Sequence, residues 1–142
     1  MNTIQEFHRM MRTHTDMALA TSVKGQPNVR IVNFCFDEGT NTILFTTFAD
    51  NEKVQEFEQN HKVAFTTIPQ EGNEHIKAKG TVQKSSRALA EVSEHFIQKI
   101  PGYQDTIEQA GEYLVLYEIV FSDATVTIDL ENRESYRLIA KQ

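Results

Sequence analysis

The sequence predicts a mainly β protein, a small antiparallel barrel with helices at its margins. Three observations carry that expectation. Six or seven short strand-like segments follow one another along the 142 residues, mostly joined by tight turns. Strand 28–36 is mainly apolar on both faces, so both faces need cover. A sheet of that many antiparallel strands loses its exposed edges most simply by curling on itself. A doubly wound fold, which alternates strands with long helices, does not match this order.

The elements follow from the chain in turn. Residues 3–13 put Ile4, Phe7, Met10 and Met11 on one helical face. "MALATSV" at 17–23 reads as a strand, and "KGQP" at 24–27 as the turn after it. Strand 28–36, "NVRIVNFCF", carries Arg30, Val32, Phe34 and Phe36 on one face and Val29, Ile31, Asn33 and Cys35 on the other. "DEGTN" at 37–41 returns the chain into "TILFTTF" at 42–48, an antiparallel hairpin. A short helix is expected at 51–59 with Asp50 as its cap. Strands follow at 62–68 and 75–83, the second alternating Ile76, Ala78, Gly80 and Val82 against His75, Lys77, Lys79 and Thr81. Segment 85–100 reads as a serine-capped helix, ended by Pro101-Gly102. The last strands are expected at 112–121 and 124–130. With no internal repeat and no flexible linker, residues 1–142 are expected to form a single domain.

Composition narrows the function classes. Hydrophobic residues at 39% and charged residues at 24% are ordinary for a globular protein. No apolar run approaches the ~20 residues of a membrane span, so no membrane partner is expected. The start of the chain shows no apolar signal core, and the lone Cys35 fits a reducing compartment, so a cytoplasmic protein is expected. A net charge of −6 with scattered Lys and Arg argues against a nucleic-acid partner. The five histidines show no metal-ligand spacing, so no metal is expected. Cys35, on an apolar strand face, reads as a small buried hydrophobe before a nucleophile. The sequence holds no GxSxG, P-loop or GxGxxG.

Arg30 is the sharper feature. A guanidinium within an apolar strand needs a carboxylate, a path to water or a bound anion. Lys53 stands in the first turn of its helix, at the positive end of the dipole, where it is either a solvated surface residue or the partner of an anion. Thr46 and Thr47 add hydroxyl donors at the end of the preceding strand. Together these residues suit a local phosphate cradle; separately each has an ordinary structural role.

At these residues the chain resembles the pyridoxamine 5'-phosphate oxidase-like, FMN-binding split-barrel proteins. The stretch "ALATSVKGQPNVRIVNFCF…TILFTTFADNEKV…HKVAFTT…HIKAKGTV" carries the likeness, from about residue 17 to about residue 83. The resemblance implies a six-stranded antiparallel split barrel that forms a homodimer, with one FMN at each end of the subunit interface. One face of strand 28–36 would then pack the barrel and the other the partner. Carried over by position, Arg30 would reach the phosphate, and the backbone of Arg30, Ile31, Val32 and Asn33 would line the isoalloxazine ring. Thr46 and Thr47 match the family's cofactor-contacting strand end. Asn51-Glu52-Lys53 stands where the family commonly has Ser-Arg-Lys, so Lys53 is kept and Glu52 replaces an arginine. His75 lies where the pyridoxamine phosphate oxidases carry a glutamine near the flavin.

The named reaction of those oxidases is not expected here. Cys35 stands where they have a substrate-binding lysine, their Arg-Pro and Ser-Gln segment has no counterpart in "EHFIQKIPGYQDT", and Tyr136-Arg137-Leu138 only echoes their C-terminal motif. The chain resembles instead the short, general-stress-protein-like members. That implies an FMN-dependent oxidoreductase of unassigned substrate, taking electrons from NAD(P)H or another donor, with no catalytic residue assigned; His75 and Tyr136 are placed near the site by the resemblance alone. Three alternatives stay open. One is a flavin-binding, stress-related protein without turnover. Another is a barrel holding haem or the deazaflavin F420, with His61, His75 or the C-terminal tail as axial ligand for haem. The last is an interaction module in which a carboxylate satisfies Arg30.

Overall fold

Helix α1 (Thr3–Thr13) starts where the Asn2 side chain accepts a hydrogen bond from the Gln5 amide, and its apolar stripe buries Phe7, Met10 and Met11. In the computed structural model, which describes residues 1–138, the chain then runs into strand β1 (Asp16–Val23). Lys24 and Gly25 turn it back, both at positive φ (53° and 81°), the two-residue geometry that matches strand twist. Strand β2 (Gln26–Asn33) pairs antiparallel with β1, placing Arg30 opposite Leu19 and Ile31 opposite Ala18.

The remaining elements are β3 (Cys35–Asp37), β4 (Thr42–Phe48), α2 (Glu52–Gln59), β5 (Lys62–Ile68), β6 (His75–Lys84), α3 (Leu89–Lys99), α4 (Tyr103–Ala110), a 3-10 turn (Gly111–Tyr113), β7 (Leu114–Val120), β8 (Asp123–Thr127) and β9 (Arg133–Arg137). Every pairing is antiparallel, along the path β2-β1-β5-β6-β7-β4-β3, with β8 branching from β6 and carrying β9. The path is open, ending on β2 and β3, as a split barrel requires. Its interior is filled by Met17, Leu19, Phe34, Ile43, Phe45, Phe65, Ile76, Ile119 and Val126, and α1 closes one side with Phe7 and Met10. Leu44 and Leu116 point the other way, under Val92 and Phe96 of α3 and Tyr103 of α4. That second cluster explains why "TILFTTF" is apolar on both faces.

The mainly β, split-barrel expectation is met, with differences in detail. Among the described residues the sheet holds nine strands rather than six, partly because segment 28–36 breaks at Phe34. The Phe34 amide donates to Thr15 O at 3.1 Å, and its carbonyl accepts from Lys99 Nζ at 3.0 Å, so β2 stays with β1 while β3 pairs with β4. Cys35 is buried against the second cluster, and burial pushes its thiol pKa up to about 11. Asn51, not Asp50, caps α2, accepting from the Lys53 amide at 3.1 Å. Helix α3 begins at Leu89 rather than near Ser85; the Glu91 carboxylate accepts from the Ala88 amide, and Ser85 Oγ accepts from the Arg87 amide. Helix α4 and strand β9 were not expected from the pattern. In the expected domain 1–142, and in the C-terminal tail considered for haem, residues 139–142 lie outside the described residues. No described helix is long and apolar enough to cross a membrane.

Candidate functional site

The sheet and α2 bring the expected basic residues to one place. Arg30 projects from β2 on the same side as Leu19, toward the interior, and reaches across β1. Its Nη1 donates to Leu19 O at 3.2 Å and to Thr21 Oγ1 at 2.9 Å, and its Nη2 donates to a carboxylate oxygen of Glu56 in α2. Both members of that ion pair are largely shielded, with side chains 19% and 12% exposed. Asn28 lies beside them, its Nδ2 within 3.4–3.5 Å of carboxylate oxygens of Glu52 and Glu56.

Lys53 sits one helical turn before Glu56. Amphipathic burial of α2 draws Lys53, Val54 and Phe57 inward, and Lys53 is only 8% exposed. Among the described residues no carboxylate lies within ion-pair distance of its ammonium. Burial holds its pKa below the ordinary lysine value, and the positive charge of Arg30 lowers it further. The carboxylate of Glu56 pairs with Arg30, so among the described residues Lys53 has no counter-ion and its ammonium is available to a bound anion.

Thr47, at the end of β4, supplies a second feature. The residue is 4% exposed and its Oγ1 has no hydrogen-bond partner among the described residues. Its neighbour Thr46 points to the other side and shares a hydrogen bond with the Tyr103 hydroxyl of α4. The Asn51 side chain is occupied by its capping bond.

The backbone of β2 offers a third feature. β2 ends the sheet path, so its far edge pairs with no described strand; the main-chain groups of Ile31 and Asn33 face that edge, while those of Arg30 and Val32 point to β1. The Asn33 side chain donates to Asp16. Val29 and Ile31 face outward, 64% and 67% exposed.

Other expected residues are not joined to this cluster within one chain. His75 begins β6, separated from β2 by β1 and β5, and its Nδ1 contacts Asn73 O at 2.6 Å. Tyr136 packs on Phe7 in the interior, with ring centroids 4.6 Å apart, and Arg137 pairs with Asp123. Glu56 is the site residue that sequence reasoning missed. The available signal was an acidic residue three positions after Lys53, on the same helical face.

An anionic group fits Lys53, which has no counter-ion among the described residues, and Thr47, whose hydroxyl has no partner among them; Arg30 already has one. For FMN, Lys53 and Thr47 would hold the phosphate and the free edge of β2 would face the ring.

Comparison with known proteins gives a consistent picture. A family model described as pyridoxamine 5'-phosphate oxidase-like matches residues 10–133. Among curated proteins none matches. Solved structures with the same fold include the General Stress Protein 26 of Bacillus anthracis, 13% identical, covering 97% of this chain and 100% of that one at a TM-score of 0.70. A FAD-binding protein from Mesorhizobium loti is 11% identical over 84% of this chain and 90% of its own, with a TM-score of 0.64. The haem storage protein HutZ of Vibrio cholerae is 15% identical over 84% and 89%, with a TM-score of 0.63.

Proposed function

The chain belongs to the pyridoxamine 5'-phosphate oxidase-like family, and on that footing we propose that it is an FMN-binding protein. The observation that carries this reading is the pair Lys53 and Thr47, a largely buried lysine without a counter-ion and a buried hydroxyl without a hydrogen-bond partner among the described residues. A phosphate monoester answers both. Thr46, Asn51 and His75 complete the proposed cofactor set, Thr46 and Asn51 by framing the strand end and the helix start, and His75 by position in the family pattern. In the β2 segment of Arg30, Ile31, Val32 and Asn33, the edge-facing main-chain groups of Ile31 and Asn33 would orient the ring.

The whole chain acts in this reading as a single FMN-binding split-barrel domain that pairs with a second copy in the cytoplasm. Val29 and Ile31 support the pairing, because two large apolar side chains on the outer face of an edge strand favour burial against a partner. When bound, FMN supplies hydride or electron transfer, and the protein supplies binding, orientation and exclusion of water. We propose a flavin-dependent oxidoreductase of unassigned substrate, with NAD(P)H or a similar donor. The pyridoxamine phosphate oxidase reaction is not proposed, because Cys35 presents a buried neutral thiol where those enzymes carry a lysine.

An absorbance spectrum of the purified protein, before and after adding FMN, tests the reading together with light scattering on wild type and Ile31→Lys. The expected outcome is a dimer that retains or takes up flavin, and a variant that is monomeric and binds it at least about tenfold more weakly. A wild type without flavin bands at any FMN concentration contradicts the proposal, and a Soret band in their place identifies haem. Steady NAD(P)H consumption by the loaded protein separates an oxidoreductase from a flavin-binding protein without turnover.

A further inference from the structure

The Arg30–Glu56 ion pair does something that the proposed cofactor site does not require. Two cations, Arg30 and Lys53, converge where α2 meets β1 and β2, and one inward carboxylate serves them. Glu56 and Lys53 are three residues apart on one helical face, yet Glu56 bonds to Arg30 and Lys53 has no counter-ion among the described residues. Asn28 steadies the same carboxylate from β2. Arg30 is thereby engaged by a main-chain carbonyl, a threonine hydroxyl and a carboxylate.

We propose that Glu56 is an internal anion competing with the ligand for Arg30, and that it sets the selectivity of the site against dianionic phosphates. This inference rests on the flavin reading above. A phosphate approaching Lys53 meets two choices. It displaces Glu56 from Arg30 and leaves a carboxylate in a shielded position without its cation, or it binds beside Glu56 and is repelled by it. Either course subtracts from the affinity of a phosphorylated ligand and leaves that of an uncharged one unchanged. Glu52, exposed at the start of α2 within reach of Asn28, adds negative charge at the same mouth. The chain is therefore built to hold FMN more loosely than its two cations alone would allow, the behaviour of a protein that exchanges its flavin.

Glu56→Gln keeps the side chain's size and its hydrogen bond to Arg30 while removing the charge. Titrations of wild type and Glu56→Gln with FMN and with riboflavin, which lacks the phosphate, test the idea. FMN is expected to bind the variant at least about tenfold more tightly, with riboflavin affinity unchanged within about twofold. Equal FMN affinities, or equal gains for both flavins, would overturn it. If neither flavin binds either protein, the flavin reading fails, and inorganic phosphate becomes the probe. Millimolar phosphate that raises the thermal midpoint of Glu56→Gln but not of wild type sustains the competing carboxylate without any flavin; the same rise in both proteins rejects it.

Discussion

At the scale of single residues, stability and binding pull in opposite directions, and Thr47 shows this most simply. A buried hydroxyl without a partner costs about 1–3 kcal/mol, and no described residue relieves that cost for Thr47 Oγ1. Valine has the same shape without the hydroxyl. Thr47→Val is therefore expected to raise the unfolding free energy of the ligand-free protein by about 1 kcal/mol and to weaken FMN binding. Urea denaturation and flavin titration read the two effects separately. A variant less stable than wild type would mean that the hydroxyl has a structural partner in the folded chain. Lys99 shows the opposite arrangement, a shielded lysine whose ammonium is fully used. It donates to Met11 O at 2.8 Å and to Phe34 O at 3.0 Å, and it lies 3.8 Å from the centre of the Phe34 ring. Lys99 ties helix α3 to the break in the sheet, whereas Lys53 has no such partner among the described residues, which is the ground for proposing it as a binding residue.

At the scale of elements, helix α1 and the start of β6 are held together through His14, Glu74 and Arg9. His14 Nδ1 meets Thr67 Oγ1 at 2.9 Å, its Nε2 lies 3.3 Å from Glu74, and Arg9 pairs with Glu74. Burial holds the His14 pKa below its ordinary 6.5, so below that pH the unfolded chain takes up a proton that the folded one refuses. Glu74 is held below its ordinary 4.5 chiefly by the hydrogen bond from Arg9, so its contribution is present above 4.5 and lost as the pH falls further. Stability is expected to decline first below 6.5 and again below 4.5. His14→Gln should remove the first decline in urea denaturation, and a first decline that survives the substitution would place its origin elsewhere. Elements with a clear apolar period were legible in the sequence. Phe7, Met10 and Met11 announced α1, and alternation announced β6. The break at Phe34 was not, because 28–33 and 35–36 form one apolar run and the cut is made by Thr15 and Lys99 from distant positions. Helix α4 was hidden for another reason: it offers only Tyr103 and Ile107 to the second cluster, too few to show a period. Of the proposed site, Arg30, Lys53 and Thr47 were singled out from their chemistry in the sequence. The Arg30–Glu56 pairing was not, since it depends on how α2 docks across β1 and β2.

At the scale of the whole molecule, the open antiparallel sheet leaves a free backbone edge on β2, apolar side chains outside it, and among the described residues a lysine without a counter-ion on α2 and a buried unpartnered hydroxyl on β4. An ordinary core would tolerate none of these for long, because each lowers stability without improving packing. The proposed cofactor at a subunit interface would account for all of them. The most direct test is a flavin titration of wild type and Lys53→Met, which replaces the buried ammonium by an apolar chain of similar length. With phosphate held at Lys53, the variant binds FMN at least about tenfold more weakly, keeps its affinity for riboflavin, and is no less stable when ligand-free. Equal FMN affinity in the two proteins would contradict the assignment of Lys53 to the phosphate, and with it the central claim that α2, β2 and β4 frame a flavin site.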